Sequence, residues 1–136
     1  MAPRLDALGA EVVNRWLDER EISGALDRYH VMVLSHTNAS QSGVVAAAHG
    51  AGMPIVSTPV GGLLDQIEET ETGLFSARVD ADSLAQAIDR LISEPDLYDH
   101  ICRGIEGSRK ARSVDTFLTA LVSGLDPVAH HRSGHR

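Results

Sequence analysis

Between Asn38 and Gly62 the chain reads NASQSGVVAAAHGAGMPIVSTPVGG, a stretch without a single charged residue. Its polar loop, Asn38–Ser42, leads into a small-residue helix predicted from Gly43 to Ala51 and ended by Gly52. A strand, a short polar loop and a helix start together present unpaired N–H groups and the positive end of a helix dipole, a combination suited to an anion. Gln41 and Ser42 can add side-chain donors. A second feature, Gly61-Gly62 after a strand, suits a tight turn first and close approach to a ligand second.

Other residues that could do chemistry are set in weaker surroundings. His36 falls at the carboxy end of a predicted strand, where α/β sheets place ligand-facing groups, but a lone histidine there is more often an exposed loop residue. His49, among alanines and glycines on a close-packed helix, fits a hydrogen-bonded packing role. The run DQIEETE from Asp65 to Glu71 spreads its carboxylates around a helix end and reads as a solvated face. His130, His131 and His135 lie in a tail with no cysteine partner, so no structural metal site is expected. No nucleophile–base pair, HExxH or CxxC is present.

The elements that must position these residues alternate. Parallel strands are predicted near Val12–Trp16, Val31–Ser35, Pro54–Thr58 and Gly73–Phe75. Val31–Ser35 is a continuous apolar run, as in a strand covered on both faces. Helical composition over Asp18–Tyr29 sets Ile22, Leu26 and Tyr29 on one buried face, and Gly61-Gly62 opens a helix through about Glu68. Leu84, Ile88, Leu91 and Ile92 form an apolar stripe behind an Asp80 or Asp82 cap. Ser93-Glu94-Pro95-Asp96 stops that helix and starts another, whose buried side continues through Leu97 and Ile101. Phe117, Leu121 and Val122 mark a last helix ending near Gly124. Strands alternating with helices specify an α/β fold with a parallel sheet.

The order and wording of these pieces resemble one family. Gly52-Met53-Pro54-Ile55-Val56, Pro59-Val60-Gly61-Gly62, Thr72-Gly73-Leu74-Phe75 and a helix over Asp82–Ile92 look like the carboxy-terminal, nucleotide-sugar donor domain of retaining GT-B glycosyltransferases. There the pattern runs approximately E-G-x-G-x-x-x-x-E-A-x-A-x-G-x-P-V-V, then x-x-x-G-G, then x-x-G-x-L. The resemblance covers about residues 11 to 125. It implies a partial Rossmann-like parallel sheet with flanking helices, the second half of a GT-B fold, over residues 1–126, followed by a disordered His-rich tail over residues 127–136.

The same resemblance implies a hexosyltransferase that moves a sugar from a nucleotide-sugar donor to an acceptor hydroxyl, with no cofactor and no obligatory metal. It assigns the donor diphosphate to Gln41, Ser42, Gly43 and Val44. Counting back from Pro54, the family's two glutamates land on Ala39 and Ala47, and its G-x-G lands on Ser40-Gln41-Ser42, a wording similar to that of looser members. Alanine offers no acceptor to a ribose or a transferred sugar. The amino-terminal acceptor half and the basic diphosphate clamp of the family have no counterpart upstream of Glu11. The chain alone is therefore expected to be inactive, and whether it is an enzyme is open: the alternative is a non-catalytic nucleotide-binding or partner module with a degenerate donor site.

Composition bounds the remaining classes. The chain has 136 residues, enough for one domain with a core, with 43% hydrophobic and 23% charged residues. A formal net charge of −7 argues against a nucleic-acid partner. The single Cys102 fits a reducing compartment and reads as an unremarkable helix thiol. No apolar leader segment and no transmembrane run is visible, and the longest apolar run is Val44–Ala48; a cytoplasmic location is expected. Without the strands that separate its first two in a complete Rossmann order, the edge of Val31–Ser35 stands open, to be covered by Val12–Trp16 docking directly beside it through its helical crossover or by a second chain; a homodimer is the expected assembly.

Overall fold

A computed structural model describes residues 4, 5 and 7–111 of the chain. The last predicted helix and the His-rich tail lie outside the described residues. Helix α1 spans Glu19–Leu26, strand β1 Met32–Leu34, helix α2 Gly43–Gly50, strand β2 Ile55–Ser57, helix α3 Leu63–Gln66, strand β3 Gly73–Phe75, helix α4 Ala81–Ser93 and helix α5 Pro95–Ala111. The strands form one parallel sheet in the order β1-β2-β3. Met32 pairs with Ile55 and Ile55 with Gly73.

Two apolar layers sandwich this sheet. On one face Leu34 and Ile55 pack with Val45 and Ala48 of α2, Met53, Leu63 of α3 and Ile67, with Leu26 of α1 at the margin. On the other, Val56 and Leu74 pack with Leu84, Ala87 and Leu91 of α4 and Ile101 and Ile105 of α5. Ile55, Leu63, Leu74, Leu91, Ile101 and Ile105 are wholly buried, each burial contributing about 1.5–3 kcal/mol before chain entropy is charged against it.

Local signals set the element ends. Asp18 and Glu21 form a reciprocal capping box on α1. Arg15 joins it through Glu21, and that hydrogen bond, ahead of the Asp18 N–H, holds the Glu21 carboxyl down at about 2. At the end of α2, the Gly52 N–H reaches His49 O at 3.0 Å and the Met53 N–H reaches Ala48 O at 2.9 Å, with Gly52 left-handed at φ +74°. That pattern is a Schellman close, with Met53 and Ala48 both buried in the same apolar layer. Gly104, in the middle of α5, is explained by its neighbour: a Cβ there would sit 2.0 Å from Glu71 O.

Three expectations need correction. Val12–Trp16 is not a strand: Arg15 Nη1 donates to Trp16 O at 3.1 Å and its other contacts go to Glu21, so the segment folds onto the α1 cap instead of pairing with β1. Its side chains stay outside, Trp16 at 93% exposure. Val31–Ser35 is not covered on both faces, because Val33, on the Val56 side of the edge strand, is 41% exposed. Tyr29 falls beyond the end of α1 and is exposed, so the helix rests on the core through a half-buried stripe of Ile22, Ala25 and Leu26.

The α4 cap yields an acid test. Asp80 accepts the Ser83 N–H at 2.7 Å, and this bond, with the Arg78 ion pair behind it, holds its carboxyl at about 2. A depressed carboxyl stabilises the fold fully above its unfolded value near ~3.9, and the contribution disappears as pH falls toward 2. Asp80→Ala should lower Tm by a few degrees at pH 7, and the gap from wild type should close as the scans are taken to pH 2.

Candidate functional site

Two loops leave the carboxy ends of β1 and β2 and lock together. The Thr58 N–H donates to Leu34 O at 3.1 Å and its hydroxyl to His36 O at 2.5 Å. The Gly62 N–H then donates to Ala39 O at 3.0 Å. A Cβ on Gly61 would lie 1.8 Å from Ala39 O, and one on Gly62 would lie 1.6 Å from Ser40 O. Gly61 is also left-handed, at φ +48°. The glycine pair therefore serves a close approach of backbone to backbone.

This lock holds the start of α2. Ser42 is its N-cap residue, extended at φ −129°, ψ 115°, and its hydroxyl makes no capping bond. Instead its backbone is held by a side chain from α3: the Ser42 N–H donates to Gln66 Oε1 at 2.9 Å, and Gln66 Nε2 donates to Ser42 O at 3.2 Å. Gln41, Gly43 and Val44 are exposed around it, while Ser42 itself is 8% exposed. The four residues thus share one loop and helix start, with Ser42 turned inward and its N–H already used.

Gln66 is the site residue that sequence reading missed. The available signal was its amide among Leu63, Leu64 and Ile67 on a short helix behind Gly61-Gly62.

The site carries almost no formal charge. Between Val31 and Leu64 the sequence has no Asp, Glu, Lys or Arg, so a bound anion would meet hydrogen-bond donors and the roughly +0.5 charge of a helix end. Ala39 is part-buried against the core. Ala47 lies on the flank of α2, in a groove of about 640 Å³ shared with Gly43, Gly50 and Ala51 and rimmed by Glu19 and Asp27 of the α1 region. His36 is exposed at the end of β1, whereas His49 is half-buried with Nε2 3.2 Å from Thr72 O, a packing position.

The remaining candidates do structural work or none. The Glu69 carboxylate accepts the Phe75 N–H at 2.8 Å, and Glu71 pairs with His100 at 3.1 Å. Among the described residues no cluster of His, Cys, Asp and Glu could hold a metal ion. Burial raises the Cys102 thiol above its ordinary value, away from the reactive thiolate. Among the same residues, no helix is long and apolar enough to cross a membrane.

Residues 3–94 match the family described as glycosyl transferases group 1. The chain belongs to this family. Its fold is also that of a solved structure, sucrose-phosphate synthase from Thermosynechococcus elongatus, at a TM-score of 0.63 and 20% sequence identity. The alignment covers 91% of this chain and 33% of that one, so the chain spans about a third of the length of the structure it matches. No curated protein matches. The three-strand parallel sheet and its helices are thus a Rossmann-like half of a GT-B glycosyltransferase fold.

In this glycosyltransferase-family domain, the loop lock is the feature most exposed to a single substitution. Gly62→Ala should destabilise it by about 3 kcal/mol, because the added methyl meets fixed backbone rather than a movable side chain. Gly24→Ala, on α1 where a Cβ meets nothing within 4 Å, should be neutral or stabilising in the same chemical denaturation series.

Proposed function

We propose that this domain holds the nucleotide-sugar donor of a retaining glycosyl transfer, with the donor diphosphate at the amino terminus of α2. The observation that carries the reading is a helix start at the carboxy end of a parallel sheet that no side chain caps. The exposed Gln41 side chain and the N–H groups of Gly43 and Val44 meet the phosphate oxygens, and Ser42 fixes the backbone between them. In the reaction an acceptor hydroxyl oxygen bonds to the anomeric carbon as the bond from that carbon to the diphosphate breaks. The diphosphate leaves with the electron pair, the hydroxyl proton passes to it, and configuration at the anomeric carbon is retained. The domain's share is positioning and stabilisation of the leaving diphosphate.

That share is small by itself. A helix end contributes about 0.3–1 kcal/mol, up to about 2 where it is partly buried, against a leaving group of several negative charges. A basic clamp and an acceptor site have to come from a further half or a partner chain. We expect nucleoside diphosphates to bind the 136-residue chain weakly and to shift the amide resonances of Gln41, Gly43 and Val44 in an NMR titration, with no sugar transfer by the chain alone. Turnover by the purified chain, or silence of those resonances with uridine, adenosine and guanosine diphosphates alike, overturns the reading. The second outcome favours the other interpretation, a partner module, for which the acceptor-less Ala39 and Ala47 already argue.

The assembly proposal rests on β1. It is an edge strand whose outer side pairs with no described strand, Val33 on it is exposed, and an apolar groove of about 330 Å³ lies beside it between Leu17, Ile22, Leu26, Met32, Val44 and Met53. Such an edge invites a partner, and we propose a homodimer. Light scattering at dilute concentration should return twice the 14.6 kDa chain mass, and a stable monomer overturns the dimer.

A further inference from the structure

We infer that Gln66 is the positioning residue of the diphosphate site and that it acts through Ser42. This rests on the donor reading above and names the group that gives the site its shape.

A serine at a helix N-cap ordinarily closes its own first turn: its hydroxyl accepts the N–H of the second or third helical residue and so uses a donor that a ligand would need. Ser42 does not do this. Its two backbone groups are instead held from behind, the N–H by Gln66 Oε1 at 2.9 Å and the carbonyl by Gln66 Nε2 at 3.2 Å. That carbonyl also accepts the Val45 N–H at 3.2 Å, so it takes part in the first turn of the helix as well.

The geometry has a direct consequence for Gly43. The Ser42 carbonyl and the Gly43 N–H belong to one peptide unit, which is planar and trans, so they point in opposite directions. Holding the carbonyl toward Gln66 aims the Gly43 N–H away from it. The side chain of Gln66, together with the first turn of the helix, therefore sets the direction of the first donor a diphosphate meets.

The chemistry of the position is narrow. The clamp needs one acceptor and one donor on a single fork, which a neutral primary amide supplies. An apolar residue would leave the inward-turned Ser42 N–H without a partner, at the cost of an unmade buried hydrogen bond. A glutamate would keep the acceptor but set a negative charge beside the helix end, opposing the anion. The support under Gln66 is itself fixed, because α3 follows directly from the Gly61-Gly62 lock on Ala39 and Ser40.

The test compares wild type with Gln66→Met and Gln66→Glu by amide hydrogen exchange and by titration with uridine, adenosine and guanosine diphosphates. In Gln66→Met the Ser42 amide should exchange at least tenfold faster while the amides of Ile55, Val56 and Ser57 keep their protection. The diphosphate dissociation constant should rise at least tenfold, and the Gly43 and Val44 shifts should fade. Gln66→Glu should retain most Ser42 protection yet bind as poorly or worse, a separation that a purely structural role does not produce. If Gln66→Met also loses protection in β2, the Gln66→Glu binding constant decides. Wild-type affinity in a folded variant overturns the role of Gln66 alone. A wild type silent to all three diphosphates overturns the donor reading first, and this inference with it.

Discussion

A three-strand parallel sheet has one strand bonded on both sides, and in this protein β2 is the constraint from which the rest follows. Ile55 and Val56 are wholly buried on opposite faces, each the centre of one apolar layer. Both layers are needed, because a parallel strand with one face in water would expose apolar side chains that no alternation relieves. β1 and β3 each lean on it from one side only. The exposure of Val33 shows what happens one strand away, where this face is no longer closed over.

The carboxy end of β2 also organises the site. Thr58 ties the strand end to Leu34 and His36, and four residues later Gly62 ties it to Ala39. Between these bonds the two loops come closer than any Cβ allows. The rigidity of the helix start is thus borrowed from the sheet through backbone contacts rather than generated by the loop's own side chains. Such an arrangement suits a site with few charges: where a helix end and N–H groups supply the attraction, their direction must be fixed in advance.

Charge in the described residues sits elsewhere and does local work. Arg15–Glu21, Arg78–Asp80 and Arg90–Glu94 lie exposed at helix ends or on helix faces, where pairs contribute little to global stability. Their effect is on element boundaries. The Arg15 pair is the clearest case, since it joins the segment before α1 to the cap of that helix.

Sequence by itself determined the elements whose signals are local. The apolar runs at Val31–Ser35, Pro54–Thr58 and Gly73–Phe75 became β1, β2 and β3, the stripe of Leu84, Ile88 and Leu91 became the packed side of α4, and Pro95 opened α5. The structure chose Asp80 over Asp82 as the α4 cap and left Ile92 of the stripe exposed. Sequence also brought Gln41, Ser42, Gly43 and Val44 together, since they are contiguous. Tertiary structure alone decided what depends on partners far along the chain. Val12–Trp16 has strand composition, but a strand exists only where a neighbour accepts its hydrogen bonds, and β1 has none from it. Gln66 meets Ser42 across 24 residues, and Gly61 and Gly62 owe their identity to the carbonyls of Ala39 and Ser40. Periodicity and propensity describe a residue's own element, whereas these positions answer to the distance between two backbones, which only the packed fold sets.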